Sequence, residues 1–210
     1  MMKSQHSSGN SGEAELVQLA FEIPGLPAVD GQAGGAVAPG GRGRAPRRAF
    51  TAPPPAAAVA AFAGKLVTIP TGCLIFTGAI STPDGYGRVT ISMPGEAKPV
   101  TVSAHRFALW AHQGQLPADG VLEHHCNEPL CVRVAGAHVH PSTQSANLRH
   151  AISSGRHHNS EAVVDSSRRA ELSVAVRELT IAHRDGTPFD LSSYRRLRDI
   201  TATAPTLPLW

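Results

Sequence analysis

The sequence predicts an α+β fold: a small antiparallel sheet, a hairpin stapled by Cys and His that leads into a helix, a C-terminal helical hairpin, and a disordered N-terminal tail. Three observations predict it. Short β-rich segments separated by Pro and Gly turns fill the middle of the 210-residue chain. Apolar positions recur at helical spacing from residue 161 onward. Nine of the eleven histidines fall between His105 and His158, with two of the three cysteines among them.

Residues 1–55 read as a Gly/Pro/Ala-rich tail. The polar start, the Gly-Ala-Pro stretches, the basic patch Arg42, Arg44, Arg47 and Arg48, and Pro53–Pro55 offer too little apolar surface to offset the entropy of ordering. Leu16–Phe21 alone interrupts the tail, as a short helix or docking motif. The patch suits loose contact with phosphate and equally a solvated linker. A net charge of +3 permits a polyanionic partner without requiring one. No run of about twenty apolar residues exists, so the expectation is a cytoplasmic protein with no membrane partner. Three cysteines are an odd set, which disfavours a disulfide framework and leaves buried thiols or metal ligands.

A central domain is expected over 56–157 and a helical extension over 158–210. The domain opens with an Ala-rich helix, Ala56–Phe62. Strand-like segments Cys73–Phe76, Tyr86–Met93 and Val100–Ser103 follow, divided by the turns Pro83-Asp84-Gly85 and Pro94-Gly95. Ala104–His112 mixes Phe107, Leu109 and Trp110 with His105 and Arg106, which suits a helix packed on that sheet and ended by Gly114. Gly120–Glu123 returns to extended chain. In the extension, Leu172, Val176, Leu179 and Ala182 mark one helix, and Asp190 caps a second that carries Leu191, Tyr194 and Leu197. Seven arginines balance seven acids over 159–210, so a docking or homodimerising arm and a DNA-contacting arm both stay open.

The densest chemistry is Glu123-His124-His125-Cys126-Asn127-Glu128-Pro129-Leu130-Cys131. Four residues between Cys126 and Cys131 allow a loop that turns both sulfurs to one point, and His138 follows seven residues later. A closed structural zinc site takes four ligands, and Cys73 is the only cysteine left to supply the fourth. Each cysteine taken alone also suits a small buried hydrophobe.

Beyond the staple, Gly85-Tyr86-Gly87-Arg88, then Ala104-His105-Arg106, then Gly114-Gln115-Leu116-Pro117-Ala118-Asp119-Gly120 and Glu123-His124-His125-Cys126 resemble the HNH endonuclease family of phages and mobile elements. The continuation Cys131-Val132 and His138-Val139-His140-Pro141-Ser142-Thr143-Gln144-Ser145-Ala146-Asn147 is similar to that family's Cys-Val-Asn-Pro-x-His-Leu segment followed by Thr-x-x-Glu-Asn. The set is also similar to the His-Cys box homing endonucleases. It covers roughly residues 70–155. Arg133–Ala137 lengthens the loop before His138 by about two residues relative to the pattern. Glu123 stands for the usual Asp and Ala146 for the usual Glu.

The resemblance implies a ββα-metal (HNH) motif in a bacterial or phage-encoded DNA endonuclease, with structural Zn2+ and catalytic Mg2+. A strand ending in His124, a zinc loop, a return strand near Val139 and a helix from about Thr143 would carry Asn147 back toward His124. Hydrolysing a phosphodiester needs an activated water and neutralised phosphoryl charge. His124 suits the general base, and Asn147 suits a Mg2+ that keeps most of its waters. Arg88 matches the position that grips the scissile phosphate, or is an ordinary strand arginine. Glu123 is a second oxygen ligand for the catalytic ion or a surface acid. His105 and Arg106 read as packing, and His125, His140, His150, His157 and His158 have no assigned role. A zinc-stapled DNA-binding module with a decayed catalytic site is the alternative, and an intracellular metal sensor a third reading.

Overall fold

The computed structural model describes residues 48–118, 121–136, 138–154 and 166–202. Arg42, Arg44, Arg47, Leu16–Phe21, His157 and His158 therefore lie outside the described residues. The element order is α1 (Ala56–Ala63), β1 (Leu66–Thr68), β2 (Leu74–Phe76), β3 (Ala79–Ile80), β4 (Gly87–Ile91), β5 (Val100–Ser103), α2 (Ala104–Gln113), β6 (Val121–His124), β7 (Val139–Ser142), α3 (Gln144–Ser153), α4 (Ser166–Arg184) and α5 (Leu191–Ala202). The α+β expectation holds at this level. The single small sheet does not: pairing is antiparallel in three separate sheets, β1-β2, β3-β4-β5 and β6-β7.

Strand β2 explains how the pieces join. Successive side chains of a strand point to opposite faces, so Phe76 enters one apolar cluster and Ile75 another. In the first, Phe62 packs on Phe76 and Phe107 at ring-centroid separations of 5.3 and 4.8 Å, with Trp110 fully buried behind them. In the second, Ile75 meets Ile69, Cys73, Leu130, Cys131, Val176 and Tyr194. The free edge of β2 is bridged by the 130–132 segment, through Phe76 N–H to Leu130 O (2.9 Å) and Val132 N–H to Leu74 O (2.8 Å).

One sequence boundary and one helix face move. The tail does not run to residue 55, because Phe50 exchanges both backbone hydrogen bonds with Leu116 at 2.8 Å and stacks on Trp110 at 4.1 Å. The buried ring and the isolated bridge to Leu116 together anchor the segment that carries Phe50. In α4 the most buried stripe is Ala170, Ser173, Val176 and Thr180, displaced from the expected Leu172 and Leu179, which are half-buried. Small residues face inward because the Gly85 turn comes very close: a Cβ on Gly85 would stand 2.7 Å from the Arg169 carbonyl oxygen, at a φ of +74°.

Candidate metal centre and adjoining cleft

Hairpin β6-β7 carries most of the chemistry. Its register pairs Glu123 with His140 and His124 with Val139, so Glu123 and His124 project from opposite faces. Between the strands the 125–138 loop doubles back on β2, and this brings Cys126, Cys131 and His138 to Cys73, just before Leu74. All four ligand atoms lie within 4.8 Å of one another. The His138 Nδ1 atom is 3.7 Å from Cys73 Sγ and 3.5 Å from Cys131 Sγ. Sulfur and nitrogen bound to one zinc at about 2.3 and 2.0–2.1 Å in tetrahedral geometry stand about 3.6 Å apart. The four residues the sequence singled out thus form a Cys3His cluster that could hold a metal ion such as zinc.

The electrostatics favour one thiolate among the three thiols, with Cys73 and Cys131 both pushed up. Hydrogen bonds from Cys131 and Cys73 pull the Cys126 thiol down to about 4, while the same sharing, with Cys126 as the charged partner, pushes Cys131 upward. Three thiols crowded around one negative charge lose their repulsion once a divalent cation enters.

His124 is 7% exposed, and its Nε2 lies 3.0 Å from the Cys131 carbonyl oxygen. A carbonyl only accepts, so Nε2 carries the hydrogen and Nδ1 is the basic nitrogen of the neutral ring. The ring packs on His105 (4.8 Å between centroids) and Tyr86 (5.8 Å). Both neighbours line a cleft of about 550 Å3 whose walls also carry Asp84, Arg88, Arg106, Gln144 and Asn147. Asn147 arrives there from the first turn of α3, which Thr143 caps by accepting the Ala146 N–H at 3.1 Å. Arg88 reaches the cleft from β4, with its guanidinium held by Asp84 at 2.6 Å. Arg106 is buried and donates to the Pro117 carbonyl at 2.7 Å, in keeping with a packing role.

Glu123 is neither a surface acid nor a wall of this cleft. It is 2% exposed, accepts from Ser142 Oγ at 2.6 Å, and faces the imidazoles of His125, His140 and His150. Burial opposes ionisation, yet the Ser142 hydrogen bond and the three imidazoles together hold its carboxyl below the usual carboxylate value. Sequence reasoning left those histidines unassigned. Strand alternation was the available signal, since residues 123, 125 and the cross-strand 140 belong to one face.

A second buried acid, Glu128, ties the loop to the C-terminal helices. It accepts from the Leu130 N–H (3.2 Å) and the Tyr194 hydroxyl (3.1 Å) and pairs with Arg198 at 3.4 Å; burial pushes its carboxyl up. Arg198 also donates to the Cys126 and Asn127 carbonyls. Among the described residues no helix is long and apolar enough to cross a membrane. No family model, curated protein or solved structure matches the chain.

Proposed function

We propose that the chain is a metal-dependent HNH-type endonuclease that hydrolyses phosphodiester bonds of double-stranded DNA, as a homing or phage-type nuclease does. The observation that carries this reading is the meeting of Asn147 and Arg88 in one cleft with Tyr86 and His105, whose rings pack on a tautomer-fixed His124. His124 stands behind Tyr86 and His105 and does not itself line the cleft, so the water whose proton it takes must reach it past those two rings, while the Cys131 carbonyl holds the imidazole and steadies the imidazolium that forms. Arg88 grips a phosphate oxygen and exchanges part of its bond to Asp84 for it. The cleft offers the oxygen donors of Asn147, Gln144 and Asp84, a set that fits a hard cation better than a soft one. Asn147 would hold Mg2+, which when bound supplies charge neutralisation at the phosphoryl and leaving oxygens. The Cys3His cluster, filled with zinc, acts as the staple that keeps the His124 strand and β2 in place.

The test is cleavage of supercoiled plasmid with Mg2+, with a chelator control. His124→Ala is expected to reduce cutting by at least about 100-fold, the scale of a lost general base, with bound zinc unchanged. Cutting that persists in His124→Ala overturns the assignment. One observation favours a second reading, a zinc-stapled DNA-binding module without catalysis: Asp84 already occupies the Arg88 guanidinium. DNA binding by the wild-type chain with no Mg2+-dependent cleavage would establish that reading instead.

A further inference from the structure

We infer that Glu123, His125 and His140 form a second metal site, beside the His150 ring, that takes a divalent transition ion of the zinc or nickel class. It is separate from the Cys3His cluster and from the Asn147 cleft, and it does not depend on the nuclease reading. The ligand atoms of Glu123, His125 and His140 lie within 4.8 Å of one another. Individual separations are 3.3 Å from His125 Nε2 to Glu123 Oε1, 3.6 Å from His150 Nδ1 to the same oxygen, and 3.9 Å from His140 Nε2 to Oε2. Ligands held by one tetrahedral ion at about 2.0–2.2 Å stand about 3.3–3.6 Å apart, so the Glu123 contacts of His125 and His140 lie within a few tenths of an ångström of that span, and the 4.8 Å outer limit of the group leaves a larger adjustment to the ion.

Two features argue for an ion and against a simple ion-paired carboxylate. Glu123 Oε1 is buried and has no hydrogen-bond partner among the described residues. Buried polar atoms left in that state are costly, and a cation between carboxylate and imidazoles relieves the carboxylate directly. The His150 ring stands beside this group, stacked on His125 at 4.6 Å between centroids. Its Nε2 lies 3.2 Å from Asn127 Oδ1, an acceptor, so Nε2 bears the hydrogen and the Nδ1 lone pair faces Glu123. Nitrogen-rich donors select zinc, nickel, cobalt or copper over magnesium. Access is open, because the His125 side chain is 43% exposed. Occupancy would tie β6 to β7 beside the His150 ring of α3, the helix that also carries Asn147.

The experiment uses the untagged full-length chain, reduced and loaded with Co2+ or Zn2+, then desalted. Wild type is expected to retain one ion for each of the two clusters. His125→Ala and His140→Ala are each expected to lose one ion while the thiolate-to-cobalt absorption of the Cys3His cluster stays unchanged. His125 is exposed, so its variant tests the site even where His140→Ala fails to fold. A wild-type chain that retains only the thiolate-bound ion, or a second ion that survives in His125→Ala and His140→Ala, overturns the proposal.

Discussion

Asp190 shows how much one side chain contributes and when it stops doing so. It accepts from the Ser193 N–H at 2.9 Å and from the Ser192 and Ser193 hydroxyls at 2.6 and 2.5 Å, which caps α5 where the sequence placed the cap. Those bonds favour the carboxylate, so its folded pKa lies below the ordinary aspartate value. The stabilisation is therefore complete above that ordinary value and fades as pH falls through the lowered one. Asp190→Asn keeps a capping oxygen but loses the charge. The expectation is a urea midpoint below wild type at neutral pH and a gap that closes on acidification; a gap constant with pH would refute the charge argument. A cap is legible in sequence because it is local. Glu123, one residue from His124, was not, because its partners arrive from β7 and α3.

At the scale of elements, the α4-α5 pair is bound to the Cys-bearing loop by a buried polar contact as well as by apolar packing. Tyr194 and Arg198 of α5 converge on Glu128, and Phe189, Leu191 and Leu197 pack against the apolar cluster that contains Cys73, Leu130 and Cys131. Tyr194→Phe keeps the ring and removes one partner from a buried carboxyl. A loss of about 1–3 kcal/mol is expected in denaturant unfolding, with bound zinc unchanged at saturating metal. No change in stability would mean that Glu128 is satisfied by Leu130 and Arg198 alone. The helical hairpin was readable from its spacing. Its docking face was not, since the inward stripe contains Ser173 and Thr180, which no hydrophobic pattern selects.

For the whole molecule, Cys73 and Cys131 lie within the second apolar cluster, shared by β2, the 126–131 loop, α4 and α5. A zinc ion there would close contacts between segments about fifty residues apart in sequence. Apparent zinc-binding energies of about 10–16 kcal/mol in small zinc domains rival the whole stability of a domain, about 5–15 kcal/mol. Chelation under reducing conditions, or Cys126→Ser, is therefore expected to melt this cluster, read as lost helical signal from α4 and α5 and a lowered melting temperature. An unchanged melting temperature and metal content would refute the staple.

By itself the sequence determined the α+β class, the helix caps and turns, and the Cys73, Cys126, Cys131 and His138 set. Each depends on local backbone preference or on a count of rare ligand types, which spacing preserves. Only the tertiary structure decided that β2 divides two cores, that Phe50 belongs to the fold, and that Glu123 turns away from His124 toward three imidazoles. Those outcomes depend on which distant surfaces meet, and the free energy of burial that chooses among them belongs to the packed pair, not to either segment's own pattern.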